Sequence, residues 1–252
     1  MKTKMGGRLA LAALTLVLCA GLMVWLMLHK PTQTELELQA YAEEKGISYL
    51  AYPSSLVELM ERNPETEEFV LNYPFREDEP IDLSEYDLTQ GVPLFMQWDT
   101  RWGYMKYGSG FVAETGCGPV CLAMAGYYVT GDEKFSPDKM VEFALENGYY
   151  SPGNGSKWTL ISEGGKTLGL AVKELPLVEK KIADYLKAGD PIIAAMGPGD
   201  FTSSGHYIVL TGYEDGMLSV NDPNSHANSE KLWSYETFAD QVKNLWVIMA
   251  GA

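Results

Sequence analysis

Apolar and polar positions follow three different rhythms along this chain of 252 residues. Residues 9–28 are an unbroken run of Leu, Ala, Val, Met, Trp, Thr, Cys and Gly without a charge. As a helix rising about 1.5 Å per residue, that run would span roughly 30 Å, the thickness of a bilayer core. Residues 32–89 are rich in acids, yet apolar side chains recur there at helical spacing, first at Leu56, Leu59 and Met60 and then at Phe69, Val70 and Tyr73. Pro53 suits the first turn of one short helix and Pro64 the start of a second, with Glu65, Glu67 and Glu68 at its positive end. Pro74 and Pro80 then read as a connector.

From Gln90 onward, helical and alternating segments are separated regularly by Gly and Pro. Ser136-Pro137 opens a helix that Gly148 closes, and a further helix over residues 177–186 ends at Gly189. Residues 191–196 read as a buried strand. Residues 206–213 and 217–221 are strands flanking Asp215-Gly216, a hairpin signal, and residues 245–249 form a last strand. Helices come mainly first and strands mainly later, which predicts an α+β domain rather than a βαβ repeat. The chain therefore divides into residues 1–30, an N-terminal membrane anchor; 31–90, an acidic helical stalk or cap; and 91–252, a domain large enough for its own core.

Charge sharpens this division. The formal net charge is −15, but Lys2, Lys4, Arg8 and Lys30 all lie in the first thirty residues, which hold no acid. The remainder carries 15 basic against 34 acidic residues. Basic residues ahead of the apolar run place the N-terminus in the cytoplasm and everything after Lys30 outside. A cleaved secretory signal is the competing reading, but its apolar stretch is shorter and ends in a small-x-small site. The acidic balance excludes a phosphate-tracking nucleic-acid binder. Three cysteines are too few for a disulfide scaffold or a four-cysteine zinc site, and no metal or other cofactor is expected. No P-loop or dinucleotide fingerprint is present.

The segment Gly116-Cys117-Gly118-Pro119-Val120-Cys121 turns a loop into an apolar helix and puts Cys117 at the helix N-terminus. Unpaired N–H groups there stabilise a thiolate and can bind an oxyanion. Cys121, four residues on, reads as a core residue, and Cys19 as a membrane-buried one. A thiol nucleophile needs a base, and the chain has three histidines. His29 borders the membrane run and His226 sits in a polar loop. His206 begins an apolar strand directly after Ser203-Ser204-Gly205, which makes it the best candidate base. The group orienting His206 should come from Asn221-Asp222 at the end of the partner strand. A two-residue Asp215-Gly216 turn would put Asn221 on the His206 face. A three-residue Glu214-Asp215-Gly216 loop, the favoured geometry, would put Asp222 there, opposite Ile208. Asn221 stays the alternative.

Gln97-Trp98-Asp99, Arg101-Trp102-Gly103, Gly116-Cys117-Gly118-Pro119, Gly205-His206-Tyr207 and Asn221-Asp222-Pro223 occur in that order. The set resembles the bacterial papain-like cysteine peptidases, in the branch related to bacteriocin-leader-processing peptidase domains (peptidase family C-39-like), in its extracytoplasmic form. The resemblance covers roughly residues 91–252. It implies a papain-like fold, Cys117 as nucleophile, His206 as general base and then acid, Asp222 orienting His206, and Gln97 donating to the oxyanion beside the Cys117 N–H. Gln97 lies twenty positions before Cys117, further than papain-like enzymes usually keep it. Trp102 is expected near the cleft and Gly205 on a substrate-binding wall. The implied substrate is a peptide or protein. Other readings are a catalytically silent domain binding a peptide or glycan, or a cell-wall endopeptidase or amidase. A thiol oxidoreductase would want Cys-x-x-Cys, not the four-residue step from Cys117 to Cys121.

Overall fold

A computed structural model describes residues 30–251. The expected membrane run at residues 9–28 lies outside them. Among the described residues no helix is long and apolar enough to cross a membrane. The chain forms two compact units, one ending at Pro53 and the other beginning at Ser54. In the first, helix α1 (Gln33–Lys45) is closed at both ends by its sequence. Thr32 and Glu35 form a reciprocal capping box, and Gly46 terminates the helix in the left-handed conformation at φ 68°.

The second unit opens with α2 (Ser54–Arg62), a turn at Pro64–Thr66 and α3 (Glu67–Asn72). Leu56, Val57, Leu59 and Met60 are buried on α2, and Phe69 and Val70 on α3, in keeping with the periodic reading of that stretch. Phe69 stacks on Tyr104 at 4.2 Å between ring centroids, and the Tyr104 hydroxyl donates to the Phe69 carbonyl at 2.7 Å. Further along, Leu83 is buried and its carbonyl accepts from the Tyr127 hydroxyl at 2.8 Å. The acidic stretch from Ser54 onward thus packs into the same unit as the domain that follows.

A six-stranded antiparallel sheet forms the centre of this unit. Its strands are β1 (Ala171–Glu174), β2 (Ile192–Met196), β3 (His206–Glu214), β4 (Met217–Asn221), β5 (Trp233–Ser234) and β6 (Val242–Met249), in the spatial order β1-β6-β2-β3-β4-β5. Alternate residues feed two cores. Ile193, Ala195, Tyr207, Val209, Trp246 and Ile248 face one, which includes α4 (Cys117–Thr130) and α5 (Pro137–Glu146). Ile192, Ala194, Ile208, Leu210, Leu245 and Val247 face the other, which includes α6 (Glu179–Lys187). Apolar residues on both faces of β2 explain its unbroken hydrophobic run. Helix α4 is buried on every side from Gly118 to Tyr127, as expected of a helix without a polar stripe. The mixed helix and sheet class matches the α+β expectation.

The β3–β4 hairpin brings Asp222 to the expected level, but by a different route. Glu214 pairs with Met217, so the turn holds only Asp215 and Gly216, both at positive φ (48° and 82°). That is the backbone twist favoured by two-residue hairpins. The register then shifts between Leu210 and Gly212, leaving Thr211 as an extra residue, and Val209 pairs with Asn221. A bulge therefore does what the three-residue loop was expected to do, and Asp222 falls level with Ile208.

Candidate active site

Cys117 is the first residue of α4, entered from the short helix Val112–Thr115 through Gly116. Gly118 lets this first turn press against the ribbon of Tyr150–Ser151 and Gly155–Ser156. A Cβ on Gly118 would lie 2.5 Å from Ser156 Oγ. Ser156 is itself fixed, its Oγ sharing a 2.7 Å hydrogen bond with the Tyr107 hydroxyl and its carbonyl accepting from the Tyr207 hydroxyl at 3.2 Å. Burial pushes both phenols well up, so they stay protonated and able to donate. Cys117 is half-buried, whereas Cys121 is fully buried in the core. Burial, aided by the nearby Cys117 and Asp222, pushes the Cys121 thiol well up and leaves it inert.

His206 starts β3 beside Met196, the last residue of β2. Its Nε2–H donates to Asp222 Oδ1 at 2.7 Å, and the Cys117 sulfur lies near enough to act on the ring electrostatically. With Nε2 engaged, Nδ1 is the nitrogen left for sulfur. Burial alone would lower the imidazolium pKa. The Asp222 carboxylate, the Cys117 sulfur and the hydrogen bond to Asp222 outweigh it, and the pKa is pushed up to about 10. Asp222 is almost wholly buried. It also accepts from the Asn224 backbone N–H at 2.9 Å on Oδ1 and from Asn228 Nδ2 at 2.8 Å on Oδ2, which leaves its carboxylate no freedom to rotate. Asn221 turns elsewhere, its Nδ2 donating to the carbonyls of Val92 and Pro93 at 3.0 and 3.1 Å.

Gln97 lines the same cleft as Cys117 and His206. Its Nε2 donates to the Ala113 carbonyl at 2.7 Å, which leaves one amide hydrogen uncommitted, and its backbone N–H donates to the Pro223 carbonyl at 2.7 Å. The twenty-residue separation from Cys117 is thus bridged by a contact next to Asp222. Asp99 and Arg101 stabilise the turn that follows, with Arg101 Nη2 donating to Asp99 Oδ2 at 2.7 Å. Trp102, expected near the cleft, is instead fully buried against Phe95, with its Nε1 donating to the Met96 carbonyl at 2.8 Å. The Asp99–Gly103 turn sends that indole inward, where its area is better removed from water. Gly205 is exposed on the cleft wall beside Ser203 and Ser204.

The cleft has a volume of about 790 Å³ and is bounded by the Gly153–Gly155 turn, residues 199–206 and Asn224. Leu59, Arg62 and Asn63 of the acidic stretch also line it. Sequence reasoning missed these three, having taken Asn63-Pro64 only as a helix boundary. Among the described residues no group of three or more His, Cys, Asp or Glu side chains gathers as a metal site.

The model of the Peptidase_C39 like family matches residues 89–252. Among solved structures, the peptidase domain of Streptococcus ComA, a bi-functional ABC transporter of a quorum-sensing pathway, is 21% identical. The match covers 64% of this chain and 99% of that one, with a TM-score of 0.45. A Bacillus anthracis protein described as a C39-like peptidase is 17% identical, over 69% of this chain and all of the other, with a TM-score of 0.42. No curated protein matches. Matching over well more than half its length, the chain belongs to the Peptidase_C39 like family and is a cysteine peptidase.

Proposed function

We propose that this chain is a membrane-anchored peptidase that cleaves peptide bonds outside the cytoplasm through Cys117, His206 and Asp222. The observation that carries the reading is one buried imidazole hydrogen-bonded to a buried carboxylate and lining the same cleft as a thiol at a helix N-terminus. The raised His206 pKa favours the imidazolium, the form that can pair with a deprotonated sulfur.

In the first half-reaction the Cys117 thiolate attacks the scissile carbonyl carbon, forming a C–S bond as the π electrons move to oxygen. The oxyanion is met by the Cys117 N–H and the uncommitted Gln97 Nε2–H. Collapse breaks the C–N bond, and the His206 imidazolium gives its proton to the leaving amine. Water, deprotonated by the now neutral His206, then attacks the thioester. A second collapse releases the carboxylate and restores the ion pair. Asp222 holds the ring and stabilises its charge in both halves.

The anchor rests on residues 9–28 and their basic flank. Residues 30–252, incubated with a peptide library and read by mass spectrometry, should cleave where the Cys117→Ala chain does not, with the two thermal transitions coinciding. Cleavage surviving in Cys117→Ala would refute the mechanism. Protease shaving of intact cells that spares residues 91–252 would refute the extracytoplasmic placement.

A further inference from the structure

Three backbone groups and one hydroxyl of the loop that carries Asp222 are fastened to two residues lying ahead of the family-matched region. Glu65 Oε1 accepts from Ser225 Oγ at 2.7 Å and from the Ala227 N–H at 3.4 Å, and Oε2 accepts from the His226 N–H at 2.7 Å. Asn63 Nδ2 donates to the Asn224 carbonyl at 2.7 Å, a carbonyl that also accepts from Trp98 Nε1 at 3.3 Å. Asn63 is held in turn, its Oδ1 accepting from the Glu65 N–H at 3.2 Å and its carbonyl from Thr66 Oγ1, within the fully buried Thr66, at 2.7 Å.

Inside the loop Asn224, with Asn228 and Ser229 just beyond the fastened residues, grips Asp222. The N–H of Asn224 donates to Asp222 Oδ1, and Asn228 Nδ2 donates to Oδ2. The Asp222 N–H donates to Ser229 Oγ at 2.9 Å. Asn224 therefore faces both ways: its carbonyl is tied to Asn63 and its N–H to the carboxylate that holds His206. The cleft beside it stays open, with Cys117 half-buried and Leu59 and Arg62 forming wall rather than plug.

We infer that Asn63 and Glu65 are positioning residues for Asp222, so that residues 54–75 are a working part of the peptidase and not a spacer or an inhibitory cap. The inference rests on the Cys117, His206 and Asp222 reading above. The side chains of Glu65, Ser225 and His226 sit at or near the surface, so water can satisfy the donors that Glu65 releases, and the fold survives its loss. What is lost is the fixed distance between Asp222 and His206.

The test is alkylation of Cys117 by iodoacetate in the purified full-length chain, followed by peptide mass spectrometry from pH 5 to 11. The charged groups acting on His206 are Asp222 and Cys117, so the alkaline fall in alkylation by this anionic reagent reports loss of the imidazolium. Glu65→Ala should move the midpoint of that fall down by about one pH unit, because an opposite charge loosened from its partner forfeits part of its effect. Glu65→Gln, which keeps one acceptor oxygen, should recover part of the shift. A Glu65→Ala midpoint equal to wild type, with only the melting temperature changed, would overturn the inference and leave Glu65 a plain surface cap. Should Glu65→Ala not fold, Asn63→Ala, which releases the Asn224 carbonyl, reads the same midpoint with the same two outcomes. A wild-type chain showing no alkaline fall overturns the underlying triad, and this inference with it, which separates the two failures.

Discussion

Replacing Asp222 by Asn isolates the charge of the carboxylate from its shape. The side chain keeps its volume in a nearly fully buried site. With the amide oxygen toward His206, both donors at Oδ1, the His206 ring and the Asn224 N–H, remain satisfied. Asn228 can turn its amide to meet the new Nδ2. His206 is pushed up to about 10 from an ordinary value of 6.5. At about 1.4 kcal/mol per pH unit, the site favours the imidazolium by roughly 5 kcal/mol, net of the burial that opposes it. If the carboxylate carries about half of that, Asp222→Asn brings the loss of the imidazolium down by about two pH units, to near pH 8. Iodoacetate alkylation of Cys117 against pH measures this midpoint. Stability gives an independent reading. Because the folded value lies above the unfolded one, His206 contributes stability that is fully present below about pH 6.5 and lost as pH rises toward about 10. In urea melts, Asp222→Asn should flatten that loss. Identical alkylation midpoints for wild type and Asp222→Asn would refute the assignment of Asp222 as the charge behind the raised pKa.

Two further substitutions probe the walls of the site. Gln97→Ala should lower kcat by about 10²- to 10³-fold, the usual cost of one oxyanion donor, with KM little changed; an unaltered kcat would leave Gln97 a purely structural residue. Its loss should also cost about 1–3 kcal/mol in stability, because the buried Ala113 carbonyl loses its donor. Gly118→Ala would drive a Cβ to within 2.5 Å of Ser156 Oγ, and the overpacking should destabilise the chain by about 1–3 kcal/mol in urea melts. An unchanged urea midpoint would show that the Tyr150–Ser156 ribbon yields freely.

Much of this arrangement was legible in the residues because local chemistry decides it. Glycines and a proline around Cys117 start a helix whatever surrounds them, and an apolar strand following Ser203-Ser204-Gly205 places His206 at its beginning. Parity within the hairpin narrowed the orienting group to Asn221 or Asp222, and which of them faces His206 depended on the turn and bulge. What escaped was decided at longer range. The Thr211 bulge has no signature in the side chains around it, so the expected pairing was reached through the wrong turn. Trp102 lies beside a motif residue in sequence, yet the Asp99–Gly103 turn carries it into the core. Strand β1 is short and half-exposed, and it joins the sheet only through β6, more than seventy residues away. Glu65 reads as a residue of a helix start and Asn63 as the end of the helix before it, but nothing near them reveals a partner about 160 positions later.

The bulge at Thr211 also gives the hairpin one residue of slack. Leu210 pairs with Val220 and Gly212 with Ser219, so excising Thr211 would restore a regular ladder without disturbing either pair. Thr211 thus lies between the turn and the pairing that leads to His206 and Asp222. The pairing that sets the His206–Asp222 contact is thereby separated, by one unpaired residue, from the pairing at the hairpin tip.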